Sequence, residues 1–401
     1  MPAVRVLTPE SGRQYRYHSP FPSVGSPSHM TAQLETEPRP TRLVPAAAHA
    51  NVIDLDCKVP ETVIWPVAGG KGGTEKSTLT ANIGVGLSLL GYKVIIVDGD
   101  LGGADLHLFF DQVSPPKSLS TFLTLEVDSL QSVLLPTPNQ NLRIICGGSE
   151  MVGMANLSYA TKAKLIRHIL SLDADYVLID LGAGSAYNTL DIFSLSDEGI
   201  IVTTPEPQAR VDAYGFLKNT VYRKLRHLLN KNESATELIA NFAREAGRKS
   251  GRLEDLLVRL SNDDPIAGQE ARAMLGDYRP KLILNRVRAR RHIAEVHRFI
   301  QLVRQYLSTE VEYVGYVRND DKMLDACEKR RPVVLNAPKS GAALDLYSVI
   351  MDGLGVSDRL HRFEPRDCPK SPRRRPSSGN APGLPSRAQP PRQPILSAQW
   401  H

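Results

Sequence analysis

The sequence predicts an α/β protein with a mostly parallel, doubly wound sheet of about seven or eight strands and helices on both faces. Seven short apolar runs carry this prediction, because they are rich in β-branched residues and alternate with stretches of helical spacing. Continuous apolar runs are typical of strands that are covered on both faces. Most of these runs end in a turn of Gly, Asp or Asn. Parallel strands bring such turns to one edge of the sheet, where ligands bind.

The composition argues against several other classes of protein. The chain has 401 residues, of which 41% are hydrophobic and 23% are charged, so it is long enough for one large domain or two smaller ones. Its 4 cysteines form no Cys-x-x-Cys pair, which argues against a zinc ribbon, an iron–sulfur scaffold and a disulfide framework. The sequence contains no run of about 18 apolar residues, so it predicts no transmembrane helix. We therefore expect a cytoplasmic protein.

The two ends of the chain differ in composition from its centre. Residues 1–58 are rich in Pro, Ser and His, and residues 356–401 are rich in Pro and Arg, so both are expected to be disordered extensions. From residue 359 onward there are nine basic and two acidic side chains, a net +7, whereas the whole chain carries +6. Residues 1–358 therefore carry a net charge of about −1, which does not predict a nucleic-acid binder. The run Arg373–Arg375 is either an anchor for anionic DNA or lipid, or part of a solvated tail.

The ordered body is expected to span residues 59–355. Its first strand is followed by a glycine cluster and then by a helix over Ser77–Leu90, which ends at Gly91, a typical C-cap residue. Another helix is expected over Ser158–Leu172. The strands are predicted at residues 62–68, 93–97, 142–146, 176–179, 199–204, 281–284 and 311–317.

Residues 221–280 interrupt this alternation, because they contain polar helical segments and no strand-like apolar run. We interpret them as a helical insertion between the fifth and sixth strands. The insertion is either a surface for a protein partner or a solvated elaboration of the fold. Its predicted helical segments are Arg223–Asn230, Thr236–Arg248, Leu253–Leu260 and Ile266–Leu275.

A phosphate-binding loop is predicted between the first strand and the first helix, over residues 69–78 (GGKGGTEKST). Glycines let consecutive backbone N–H groups converge on phosphate oxygens, and the helix N-terminus adds a positive dipole. In this pattern Lys76 would reach the β- and γ-phosphates, and the Ser77 hydroxyl would ligate Mg²⁺. The other loop residues expected to bind a nucleotide are Gly70, Lys71, Gly72, Gly73, Thr74, Glu75 and Thr78.

Glu75 departs from the pattern Gly-x-x-x-x-Gly-Lys-Ser/Thr, which has glycine at that position. A glycine lets the backbone curl tightly around the phosphate, and a carboxylate adds negative charge beside a triphosphate. Unit charges 4 Å apart interact by about 4 kcal/mol at an effective dielectric constant of about 20, so a like-charge contact would remove much of the binding energy. Two outcomes stay open: Glu75 points to solvent and binding is weakened, or the site is inactive.

Residues 70–78 (GKGGTEKST) resemble the deviant Walker A motif of the ParA/MinD P-loop ATPases, and similar motifs continue over roughly residues 60–350. The hallmark of that motif is an early lysine, here Lys71, which in the family contacts the phosphates bound by the partner subunit. The resemblance implies ATP and Mg²⁺ as ligands and an ATP-dependent homodimer. It also implies Lys71, Lys76 and Asp100 as the catalytic residues.

Three later turns are similar to other motifs of the same family. Asp100, after the second strand, matches the residue that positions the attacking water. Asp180, after the fourth strand, matches the acid that holds Mg²⁺ together with Ser77, and the N–H of Gly182 would meet the γ-phosphate. Asn285, after the sixth strand, matches the position that reads the adenine edge. Each of these residues alone is an ordinary strand-end acid or turn residue. Their order and spacing make the resemblance specific.

The segments Asp180–Ser185 and Thr204–Pro207 favour the MinD-like branch that includes the FlhG flagellar-number ATPases. That resemblance implies a slow ATPase that positions a flagellar, motility, division or partitioning machine with a protein regulator or cargo. Members of the branch dock on the inner face of the plasma membrane through a C-terminal amphipathic helix. The Pro-broken sequence after Leu360 does not predict such a helix, so this peripheral contact lacks its anchor. The basic cluster within Arg286–Arg291 is either a contact for lipid or DNA, or a solvated helix start.

A second interpretation is a degenerate P-loop scaffold that does not hydrolyse ATP and acts through protein partners. In that case residues 221–280 and the tail would carry the binding surfaces. Glu75 is the feature that separates the two interpretations. An iron–sulfur carrier is disfavoured by the missing Cys pair. A dehydrogenase is disfavoured because the first turn lacks Gly-x-Gly-x-x-Gly.

Overall fold

The structure, a computed structural model, describes residues 62–100, 103–148, 157–246 and 251–357. It also describes the backbone of two short strands near the N-terminus, β1 (Arg5–Val6) and β2 (Tyr15–Arg16), which pair antiparallel. The rest of the predicted extension over residues 1–58, and the predicted extension over 356–401 from residue 358 onward, lie outside the described residues.

The main sheet has eight strands in the order β10-β9-β8-β3-β7-β4-β6-β5. All neighbouring strands pair parallel except β5, which pairs antiparallel with β6. The seven predicted strands are all present, and the sequence did not reveal β5, because a two-residue strand leaves no periodicity. The strands are β3 (Val63–Ala68), β4 (Val94–Gly99), β5 (Leu135–Pro136), β6 (Leu142–Ile145), β7 (Tyr176–Leu181), β8 (Ile200–Thr203), β9 (Lys281–Val287) and β10 (Glu312–Arg318).

Helices connect these strands and cover both faces of the sheet. Gly91 follows the first helix with a φ of +94°, as expected for a glycine at a helix end. The helices are α1 (Lys76–Leu89), α2 (Leu119–Leu123), α3 (Tyr159–Leu170), α4 (Tyr187–Phe193), α5 (Pro207–Leu228), α6 (Glu233–Ala246), α7 (Leu253–Asp263), α8 (Pro265–Asp277), α9 (Arg291–Leu307), α10 (Asp321–Glu328), α11 (Val333–Asn336) and α12 (Gly341–Ser348). Short 3₁₀ turns cover Leu106–Phe110 and Leu130–Val133, and a π-helical turn covers Val349–Gly353.

Two apolar layers lie on opposite faces of the sheet, and the alternation of side chains along β7 shows them. Val177 and Ile179 belong to one layer, whereas Tyr176 and Leu178 belong to the other. This double coverage is the reason that the strands read as continuous apolar runs in the sequence.

The first helix, α1, is buried in one of these layers for most of its length. Gly84 and Gly86 allow this close packing, because a Cβ atom at either position would lie 2.4 Å from Ile96 or Ile350, respectively. Burial on this scale fixes the start of α1, and with it the loop that precedes the helix.

The helical insertion begins later in the chain than the sequence indicated. Residue 221 lies within α5, a 22-residue helix that starts at Pro207 and packs on β8, so α5 is the crossover helix of the sheet. The apolar positions of its first half were obscured by intervening polar residues. The added part is therefore α6, α7 and α8. Their inward residues Ile239, Leu256 and Leu260 are buried in the same apolar layer as the sheet.

Within the described residues, none of the helices combines the length and the apolar character that a membrane crossing requires.

Candidate functional site

The predicted phosphate loop lies between the end of β3 and the start of α1, as the sequence indicated. Gly73 and Glu75 both adopt left-handed backbone conformations, with φ of +81° and +64°. Glycine adopts this conformation at little cost, whereas a residue with a side chain pays roughly 1–3 kcal/mol. Glu75 therefore adopts the left-handed conformation that the motif normally gives to a glycine, and its backbone is strained.

Close approach of α5 explains the glycine at position 70. A Cβ atom there would lie 2.1 Å from the backbone carbonyl carbon of Asp212 and 2.5 Å from the nitrogen of Ala213. The first half of the loop also lies against the segment after β7, since the N–H of Gly184 donates to the carbonyl of Gly69 at 3.4 Å. The loop is thus fixed from two sides.

The inner side of the loop carries buried polar groups suited to an anion. Lys76 is 8% exposed, and its aliphatic stem lies back over Gly69. The Thr74 hydroxyl is buried and has no hydrogen-bond partner among the described residues. A buried hydroxyl without a partner is costly, and a ligand oxygen would satisfy it. These groups fit a phosphate in the place that the sequence predicted.

The two predicted magnesium ligands are brought together. Ser77 lies beside Asp180, a carboxylate that is 1% exposed at the end of β7, and the Thr80 hydroxyl donates to Asp180 Oδ1 at 3.4 Å. Burial raises the pKa of the Asp180 carboxyl to about 7, against the opposing effects of Ser77 and the nearby Lys76 charge. One hydroxyl and one carboxylate are a typical protein contribution to a Mg²⁺ site, in which phosphates and water supply the remaining ligands. The residues present therefore fit a magnesium–nucleotide complex.

Asp100 meets Gly182 at the ends of two neighbouring strands, β4 and β7. A Cβ atom on Gly182 would lie 2.9 Å from a carboxylate oxygen of Asp100. The proposed water-positioning acid is therefore beside the glycine whose N–H was expected to meet the γ-phosphate. Leu101 and Gly102, which follow Asp100 in this motif, lie outside the described residues.

Asp98 is a site residue whose role the sequence did not reveal. It is fully buried, and its carboxylate oxygens accept the N–H groups of Asp100 and Leu106, each at 3.3 Å. Burial, followed by the charge of its strand partner Asp180, raises the pKa of Asp98 well above its usual range. Asp98 therefore anchors both ends of the turn that carries Asp100. The sequence showed only a second acid at a strand end.

Asn285 lies next to the loop, and its amide is already occupied by loop groups. Its Nδ2 donates to the Thr74 carbonyl at 3.0 Å and to the Glu75 Oε2 at 3.0 Å, and its Oδ1 accepts the N–H of Arg286 at 2.9 Å. The Arg286 guanidinium lies 3.7 Å from Glu75 Oε1. Glu75 therefore points sideways to Asn285 and Arg286, neither into the loop nor fully into solvent.

Lys71 is exposed to solvent, in contrast to the buried Lys76. The two lysines of the motif therefore differ in solvent exposure as well as in position.

A cavity of about 430 Å³ adjoins the loop. It begins at Gly73–Thr78 and extends to Phe109, Cys327 and Arg330. Thr78 and Cys327 are 3.7 Å apart across it. The cavity has the size of a ligand site, and its α10 lining was missed by the sequence analysis because those residues follow no motif.

Comparison with known proteins agrees with this geometry. Residues 61–218 match the protein family described as "ParA: NUBPL iron-transfer P-loop NTPase". Residues 61–218 form a ParA-family P-loop NTPase domain. The iron transfer in that description is not carried over to this chain, whose cysteines form no Cys-x-x-Cys pair.

Curated relatives of this chain include a flagellum site-determining protein and an antiactivator. The chain is 33% identical to the "Flagellum site-determining protein YlxH" of Helicobacter pylori over 46% of this chain and 59% of that protein, which is under two thirds of its length. It is 25% identical to the "Antiactivator FleN" of Pseudomonas aeruginosa over 71% of this chain and 83% of that protein.

Among solved structures, the fold is similar to the septum site-determining protein MinD of Pyrococcus horikoshii in complex with Mg-ADP. The TM-score is 0.51 at 21% identity, and the alignment covers 75% of this chain and 97% of that one. The eight-stranded, mostly parallel sheet with flanking helices is therefore a MinD/ParA-type P-loop NTPase fold, as the sequence predicted.

Proposed function

We propose that this chain binds Mg·ATP at residues 69–78 and acts as a slow, ATP-dependent dimerisation switch. The observation that carries the proposal is the convergence of Lys76, Ser77, Asp180 and Asp100 around a loop with an unpartnered buried hydroxyl. The chain brings these groups together from three separate strand ends, and phosphate transfer to water requires this set of groups.

Each of these residues has a definite task in the proposed reaction. The loop N–H groups and Lys76 hold and orient the phosphates, and Ser77 with Asp180 positions the cation. Bound Mg²⁺ supplies charge neutralisation at the phosphate oxygens. Asp100 orients the attacking water and accepts its proton, and Asp98 keeps Asp100 in place through the backbone of the turn.

Dimerisation is proposed to use Lys71. Its side chain is exposed, as a contact with the phosphates of a second copy would require. By analogy with the flagellum and septum site-determining relatives, the dimer would position a flagellar, motility, division or partitioning machine with a protein regulator or cargo.

A second candidate function is a scaffold that keeps the fold without hydrolysing ATP. The contact of Glu75 with Asn285 favours it, because both polar groups beside the loop are then satisfied without a nucleotide. In that case protein partners would bind elsewhere, with α6–α8 as one candidate surface.

The decisive experiment measures Mg·ATP binding by calorimetry and molecular mass by light scattering on the full chain. We expect Lys76→Ala to weaken binding at least tenfold, about 1.4 kcal/mol, because it removes a buried phosphate ligand. Lys71→Ala should abolish ATP-dependent dimers while the monomer keeps most of its affinity. Lys339→Ala, which removes another exposed lysine outside the loop, is the control and should change neither quantity.

Absence of Mg·ATP binding by a folded wild-type chain would rule out the switch and leave the scaffold. Binding with unchanged dimerisation in Lys71→Ala would contradict the role of Lys71 across the subunits.

A further inference from the structure

The cavity of about 430 Å³ beside the loop begins at Gly73 and Glu75, and it is large enough for the nucleoside part of a nucleotide whose phosphates are held by residues 69–77. Its wall on the loop side includes Glu75. Asn285, in contrast, is 1% exposed and lies behind Glu75.

Both hydrogens of the Asn285 amide are occupied. One is donated to the Thr74 carbonyl and the other to the Glu75 carboxylate, and the amide oxygen accepts the N–H of Arg286. The amide therefore has no N–H left to donate to a base, and only its oxygen keeps a free lone pair. A base atom that is to accept a hydrogen bond from Asn285 must first displace the carboxylate.

The carboxylate is held in place by a partly exposed arrangement. Glu75 and Arg286 are 35% and 36% exposed in their side chains, and both have left-handed backbones, with φ of +64° and +58°. Ion pairs this exposed are weak, so the contact can open. Two strained residues that face each other in one cluster indicate a constrained functional position.

We propose that Glu75 is a specificity-determining residue that withholds the Asn285 amide from the nucleotide base, so that the site recognises the phosphates far better than the base. This inference rests on the proposed nucleotide binding. It differs from simple charge repulsion, in which Glu75 would weaken every phosphate ligand equally.

The test compares Mg·ATP with Mg·tripolyphosphate, which carries the phosphates without the base, by calorimetry on the full chain. We expect Glu75→Ala to raise the affinity for Mg·ATP about tenfold and that for tripolyphosphate less than about threefold, since only ATP gains a hydrogen bond. Glu75→Gly, which also relieves the backbone strain, should show the same preference for ATP.

Glu270→Ala is the control, because Glu270 is an exposed carboxylate on α8, outside the loop and the cavity. It should leave the affinities for both ligands unchanged. In the double variant Glu75→Ala/Asn285→Ala the selective gain for ATP should vanish. If Asn285→Ala does not fold, the ratio of the two ligands in Glu75→Ala decides alone.

Equal gains for both ligands in Glu75→Ala would overturn the inference and leave nucleotide binding intact. No binding of either ligand by any variant would overturn the proposed function, and the inference with it.

Discussion

Gly70 lies in the loop against the backbone of α5, whereas Gly215 lies within α5 and has open space beside it. A Cβ atom at position 70 would overlap the backbone of Asp212, whereas a Cβ atom at position 215 would meet no atom within 4 Å. The same substitution at these two glycines should therefore have opposite effects.

We expect Gly70→Ala to lower the free energy of unfolding by about 1–3 kcal/mol, because helix or loop must shift. Gly215→Ala should raise it by about 0.5–1 kcal/mol, because alanine restricts the unfolded chain and suits a helix. Urea unfolding followed by circular dichroism measures both. A neutral Gly70→Ala would show that the loop does not abut α5.

The sequence predicted the residues of the motifs but not the contact that satisfies Glu75. Lys76, Ser77 and Asp180 came together because their motifs follow the ends of parallel strands, and topology places those ends at one edge. Glu75 and Asn285 are 210 positions apart, and their contact depends on side-chain directions that no spacing encodes. The same is true of Asp98, whose partners are backbone N–H groups of its own turn.

At the scale of elements, a buried ion cluster ties α3, α4 and α5 together. Asp191 of α4 contacts Lys162, Arg223 and His227, with Arg223 Nε at 2.5 Å and His227 Nε2 at 3.1 Å. Burial alone would raise the pKa of Asp191. Hydrogen bonds from His227, Arg223 and Lys162 outweigh that effect and hold the pKa well below its usual range.

We expect Asp191→Asn to lower the free energy of unfolding by about 3–5 kcal/mol at pH 7, because it leaves buried cations unpaired. Since the folded pKa is depressed, this stabilisation is complete above the unfolded pKa of about 4 and is lost as the pH falls below it. The difference in the free energy of unfolding between wild type and Asp191→Asn should therefore become smaller in acid.

Urea unfolding at pH 7 and pH 3 checks the sign. Asp173→Asn, which breaks the exposed pair of Asp173 with Lys93, is the control and should have little effect at either pH. A difference between wild type and Asp191→Asn that grows in acid would contradict the assignment.

Element positions were predictable where periodicity was strong and not where it was short or mixed. Seven strands gave clear apolar runs, whereas β5 has two residues and ends in Pro136 at the sheet edge. The insertion was placed too early because α5 alternates apolar and polar residues along its first half, and only its tertiary packing shows that it continues from Pro207.

For the whole molecule, the sheet places the phosphate loop, Asp100, Asp180 and Asn285 at one edge, and the buried α1 fixes the end of the loop. The central claim is that the backbone of residues 69–78 cradles the phosphates of a nucleotide. Backbone N–H groups would then be the main ligands, so their exchange with solvent reports on the claim directly.

Hydrogen–deuterium exchange of the full chain with and without Mg·ATP is the most direct measurement. We expect amides within residues 70–77 and 180–184 to become protected when Mg·ATP is added, while α6–α8 remain unchanged as an internal control. Bound Mg·ATP with unprotected loop amides, or with protection confined to other segments, would contradict the claim.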